Sequence, residues 1–182
     1  DSEYGFFPSI EVSSIKGIRF CVEPSRGLDI SSLSYRGIDI AYQAPTGVRH
    51  HEVFKYAPGS FEDNMFFGML TTCGLENAGP GCTDDGIYYS QHGSLNYSEA
   101  DDVAASFSHD GKHLVIEGTV RGNRFGRHRF VFSRKISFSS DACVIMIEDS
   151  VWNPGDTGQI CLMYHYNFGA PFLSPCCNLS IP

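Results

Sequence analysis

Two histidines carry the chemistry that this sequence can offer. His165 lies in Tyr164-His165-Tyr166-Asn167-Phe168-Gly169, and His92 in Gln91-His92-Gly93-Ser94-Leu95-Asn96. Imidazole titrates near neutral pH, so either ring can hold or deliver a proton in general acid–base work. Along residues 160–168, Ile160, Leu162, Tyr164, Tyr166 and Phe168 alternate with Cys161, Met163, His165 and Asn167. That parity predicts a buried strand with His165 and Asn167 on one face. A polar pair among apolar neighbours needs partners or a ligand, since unpaired burial is costly. The alternative is a core histidine bonded to a backbone carbonyl. For His92 it is a turn histidine, although the adjacent Gly93 also admits close approach of a ligand or of backbone.

Further polar groups fall at loop-like positions. Glu76 and Asn77 sit between Gly74 and Gly79, where they can bond a hydroxyl-rich ligand or, for Asn77, close an Asx-turn. Arg26 in Ser25-Arg26-Gly27-Leu28-Asp29 reads as a ligand clamp or as the partner of Asp29. Arg121, Arg124, Arg127, His128 and Arg129 gather around Gly122 and Gly126, as expected of a solvated hairpin tip. His50-His51 lacks a spaced third ligand, and no Cys-x-x-Cys pair is present, so no metal or other cofactor is expected. There is no Gly-x-Ser-x-Gly, no Walker sequence and no dinucleotide fingerprint.

The elements that must position these residues read as short strands. Ile18/Phe20/Val22, Leu28/Ile30, Ile38/Ile40/Tyr42, Leu114/Ile116/Gly118/Val120 and Phe130/Phe132/Ile136/Phe138 alternate with polar residues, as do stretches 142–152 and 159–168. Gly, Asp, Asn and Pro punctuate them. The pattern predicts an all-β, antiparallel sandwich or barrel. Residues 44–64 and 73–90 read as long loops, the first with a short helix, and such loops are commonly functional. The 182 residues suffice for one domain, expected over 1–182.

Thirteen Lys+Arg against 21 Asp+Glu give a net charge of -8, which argues against nucleic acid or an anionic membrane as partner. No apolar run approaches the roughly 20 residues of a membrane span. Seven cysteines with no even framework suggest free thiols in a reducing cytoplasm. The start, Asp1-Ser2-Glu3, lacks an initiator Met and a signal peptide. The chain is therefore expected to be a processed, trimmed or partial form of something longer.

Five blocks in order carry a family resemblance: Ser25–Ile30, Gly68–Gly79, Gln91–Asn96, Ile147–Gly155 and Tyr164–Gly169. Together they resemble the uncharacterised bacterial branch of the aldose 1-epimerase (galactose mutarotase-like) superfamily, over nearly the whole chain. The resemblance implies a β-supersandwich, incomplete at the C-terminus, that binds a sugar in a cleft on one sheet without a cofactor. It implies His165 as general acid to the ring oxygen and His92 as the residue that orients the sugar. Glu76, Asn77, Asn96, Asn167, Arg26 and Tyr164 would contact the substrate. The family's glutamate base has no equivalent within these residues and is expected beyond residue 182. Its sugar-binding arginine has no clear match, and Glu76-Asn77 occupies that neighbourhood. Three functions follow in order: an aldose 1-epimerase-like isomerase, a non-catalytic carbohydrate-binding or sensing domain, and a metal-dependent β-barrel enzyme using His92, His165 and Glu76 or Glu99.

Overall fold

In the computed structural model the described residues are 8–49, 57–122, 129–155 and 157–180. They form strands β1 (Ile10–Ser13), β2 (Ile18–Glu23), β3 (Asp29–Tyr35), β4 (Ile38–Asp39) and β5 (Tyr42–Gln43), then helix α1 (Ser60–Asn64). Strands β6 (Phe67–Gly68), β7 (Leu70–Leu75), β8 (Cys82–Asp84) and β9 (Ile87–Tyr89) follow. The series closes with β10 (Asp101–Phe107), β11 (His113–Gly122), β12 (Phe130–Ser139), β13 (Val144–Trp152) and β14 (Cys161–Tyr166). The expected all-β antiparallel class is thus what the chain adopts.

One sheet runs β1-β2-β3-β7-β14, with β4 also paired to β3, and a second runs β10-β11-β12-β13. All their pairings are antiparallel. The alternating apolar residues meet between them: Phe20, Val22, Ile30 and Leu70 from the first sheet pack with Leu114, Ile116, Phe132, Ile136 and Phe138 from the second. Phe20 and Phe138 meet edge-to-face at 5.5 Å, the arrangement that aromatic quadrupoles favour.

One position on the core face of β12 departs from this apolar rule. Arg134 follows Phe130 and Phe132 at period two and is 1% exposed. It makes a two-pronged pair with Asp149 (Nε to Oδ1 2.9 Å, NH2 to Oδ2 2.7 Å) and donates to Asp29 Oδ1 at 2.7 Å and Thr72 Oγ1 at 2.8 Å. Asp29 also accepts from the Thr72 amide and hydroxyl. Burial pushes the Asp29 carboxyl up, to about 6, against the pull of Arg134 and Thr72. Burial alone would lower the pKa of Arg134, but the bonds to Asp149 and the charge of Asp29 outweigh it and raise it. The network ties β12 and β13 to β3 and to the neighbouring strand β7.

Two sequence expectations need correction here, and one strand went unread. Strand β14 is not buried on both faces: it ends its sheet beside β7 alone, and Leu162, Tyr164, Tyr166 and Phe168 are 36–54% exposed. Residues 73–75, read as loop, complete β7, and the rest of that stretch folds into the β8–β9 hairpin. Strand β10 lacks any alternation because all seven of its residues are exposed at the sheet edge. The short helix expected within 44–64 is α1. No helix among the described residues is long and apolar enough to cross a membrane.

Candidate functional site

Strand β7 has two faces with different duties. Register pairs Tyr164 with Thr72, and pairs His165 with Thr71 and Met163 with Cys73. Directly paired residues project to the same side. Thr72 and Tyr164 therefore share one face, toward the Arg134 network, where the Tyr164 hydroxyl donates to Asp149 Oδ2 at 2.8 Å. Thr71, Cys73, Met163 and His165 share the other.

His92 comes to that second face from the turn after β9. Its backbone adopts φ +59, a left-handed conformation that costs a non-glycine residue energy. The surroundings fix it there. Gly74 N donates to His92 O, and His92 N donates to Gly79 O, both at 3.0 Å. Gly93 follows at φ +71, and a Cβ on it would strike the carbonyl oxygens of Gly74 and Asn77. Only glycine allows this approach, which makes the isolated bridge between Gly74 and Gly93.

The two imidazoles meet edge-to-face, with ring centroids 5.1 Å apart, and Phe61 of α1 packs on His92 at 4.7 Å. His92 Nδ1 lies 2.9 Å from Ala78 O. A carbonyl accepts, so Nδ1 carries the hydrogen. His165 Nε2 is buried and has no hydrogen-bond partner among the described residues. Burial and, after it, the neighbouring His92 lower the pKa of His165, so the neutral imidazole is favoured. Cys73, wholly buried, lies beside them, and a nitrogen of each ring and its Sγ are all within 4.8 Å of one another. Burial, then the charge of Asp29, pushes the Cys73 thiol up to about 12.

The structure brings His92 and His165 together and sets three other expected residues around them as framework. Asn77 closes the Asx-turn: its Oδ1 accepts from Gly79 N at 3.0 Å and its Nδ2 donates to Pro80 O and Ser90 O. Glu76 accepts from the Ser94 hydroxyl at 2.6 Å, fixing the turn that carries His92. Asn167 donates to Gly68 O at 3.1 Å.

The others do not reach this face as expected. Tyr164 projects from the opposite side of the sheet, because adjacent residues of a strand alternate. Arg26 is neither clamp nor partner of Asp29: fully buried between Phe66 and Tyr97, it donates to the carbonyls of Asn96, Arg49 and Asn64. Asn96 is fully buried beside it, with Nδ2 toward Met65 Sδ and Oδ1 without a partner among the described residues. Arg121 pairs with Asp101 and Asp102. His50, His51, Arg124, Arg127 and His128 lie outside the described residues.

Sequence reasoning missed Cys73 and Phe61 at this site. Cys73 falls where the sequence reads as loop, so no strand parity assigned it a face. Spacing rules pass over it because its neighbours lie far along the chain.

Residues 7–182 match the model of a family described as a domain of unknown function (DUF4432), and the chain belongs to that family. Among solved structures, the chain is similar to one from Klebsiella pneumoniae subsp. pneumoniae MGH 78578 described as a "putative aldose 1-epimerase". The TM-score is 0.83 at 21% identity, over 91% of this chain and 44% of that one. The likeness establishes the shared fold, and this chain spans less than half the length of that protein. No curated protein matches the sequence.

Proposed function

We propose that this member of the DUF4432 family binds a sugar over the His92–His165 face and acts as an aldose 1-epimerase-like isomerase. The observation that carries the reading is the pair of imidazoles 5.1 Å apart, one on a strand and one on a locked turn, in a fold shared with a protein described as a "putative aldose 1-epimerase". Mutarotation needs a hydrogen delivered to the ring oxygen while the anomeric hydroxyl loses its proton. His165 would supply the first. Because its surroundings favour the neutral ring, it would act as a hydrogen-bond donor that gives up its proton as the ring oxygen gains charge, with no need for a resting imidazolium. His92, held through Nδ1 by Ala78, would orient the sugar. A carboxylate must receive the anomeric proton, and Glu76 is already committed to Ser94. In this reading Asn167 and Asn77 shape the cleft through backbone contacts, and residues 1–182 form one galactose mutarotase-like unit. A cytoplasmic setting is supported by seven free cysteines.

The occupied Glu76 and the neutral His165 also favour a second reading, a carbohydrate-binding or sensing domain without turnover. Saturation-transfer NMR across a panel of aldoses distinguishes the two. Exchange between α and β anomer signals above the buffer blank supports the isomerase, and His165→Asn should then slow it by ~10²–10⁴ while binding persists. Line broadening without exchange supports the binding domain. An unchanged rate in His165→Asn removes His165 from the chemistry.

A further inference from the structure

We propose that Cys73, His92 and His165 form a binding site for a soft or borderline divalent cation of the zinc class. One ligand atom from each lies within 4.8 Å of the others. Around a tetrahedral zinc, bond lengths of about 2.0–2.3 Å place neighbouring ligand atoms about 3.3–3.8 Å apart. The ligand atoms therefore stand within about 1.5 Å of the separations that a bound ion sets.

The backbone is already fixed on all three sides. Cys73 and His165 stand on paired strands, in the diagonal relation that follows from the Met163–Cys73 and His165–Thr71 pairings. His92 is tied to the same β7 segment by the hydrogen bonds on either side of Gly74. The second coordination shell is in place as well. A metal-binding histidine commonly gives its other nitrogen to a carbonyl, which fixes tautomer and ring angle, and His92 Nδ1 does this with Ala78 O at 2.9 Å. His165 Nε2 is the converse case, a buried nitrogen with no partner among the described residues. Such an orphan costs stability, and a cation would satisfy it.

The donor set names the class of ion. One sulfur and two imidazole nitrogens suit zinc or cobalt and disfavour magnesium and calcium, which take oxygen ligands. Three protein ligands leave a fourth position for water or a small donor. On binding, the Cys73 S–H bond breaks, the sulfur pair goes to the metal and one proton goes to solvent. The inference does not rest on the sugar reading. If both hold, a bound cation occupies the nitrogens that proton transfer needs, and zinc inhibits anomer exchange.

Cobalt(II) reports the site directly in the reduced, chelator-treated chain. The expected result is one cobalt per chain, with a near-ultraviolet thiolate-to-cobalt charge-transfer band, intense visible bands of a four-coordinate ion, and displacement of both by zinc. Cys73→Ser should abolish the charge-transfer band. His165→Gln should weaken binding by more than about 100-fold, since losing even an outer-shell partner costs 10–100-fold. His165 is less buried than Cys73, so this variant decides the matter if Cys73→Ser fails to fold. The double variant C176S/C177S removes two exposed thiols and should leave the spectrum unchanged. No bound cobalt, or a spectrum that persists in His165→Gln and follows C176S/C177S, overturns the proposal. Cobalt binding without anomer exchange for any sugar leaves it standing and counts against the isomerase alone.

Discussion

Replacing Arg134 with Met should cost about 3–5 kcal/mol at pH 8, because it strips the cation from carboxylates that stay buried. Asp29 is wholly buried, and the Asp149 side chain is 7% exposed. Methionine fills much of the volume, so the loss reports electrostatics more than a cavity. With a urea slope of about 2 kcal/mol/M for a chain of this size, the unfolding midpoint falls by about 2 M. The cost should also depend on pH. The folded Asp29 carboxyl holds its proton more tightly than the unfolded chain does, at about 6 against 3.8. Its contribution is therefore greatest at low pH and is lost as pH rises through the folded value. Without Arg134 that value climbs further, so the variant keeps losing stability above pH 6 where the wild type has levelled off. Urea melts at pH 5 and pH 8 should show the larger deficit at pH 8. The triple variant R134M/D29N/D149N, with no charge left to strand, should recover much of it. A deficit under about 1 kcal/mol at pH 8, or one that is equal at both pH values, refutes the reasoning.

Gly93→Ala should destabilise the turn around His92 and abolish sugar broadening in NMR, since the added methyl meets two backbone oxygens that have nowhere to move; unaltered binding would show that the turn can shift. Tyr164→Phe should leave sugar affinity unchanged, as Tyr164 faces Asp149 across the sheet from His165, and a tenfold loss by titration would contradict that placement. Among exposed thiols, Cys177 should alkylate first near neutral pH. The Ser174 amide and hydroxyl bond its sulfur and lower its pKa, and peptide mapping that finds Cys82, Cys161 or Cys176 labelled sooner would refute this.

Strands were legible wherever one face is buried. The alternation in β2, β11, β12 and β13 is the imprint of a core that accepts every second side chain. β10 was illegible for the same reason inverted: Asp101–Phe107 has no buried face to leave a pattern. Arg134 could have been read as a network centre, since it occupies the apolar parity of Phe130, Phe132, Ile136 and Phe138. The histidine pair was visible through its motifs, whereas Cys73 was hidden because only the pairing of β7 with β14 and the bridge at Gly74 bring residues 73, 92 and 165 together. Parity already separated Tyr164 from His165, and grouping them by motif obscured it.

The two faces of β7 also bear on how this segment can change over time. Thr72 answers to a charged cluster and Cys73 to two imidazoles, yet one peptide unit joins them. Neither side chain can drift by a half-turn or a register step without dragging the other out of place. Residues 71–75 should therefore vary as a block: a lineage that abandons the cluster at Asp29 must re-fit the histidine face in the same stretch of time. Engineering a new specificity into the histidine face is correspondingly easier from Met163 of β14, which shares that face and not the charged one.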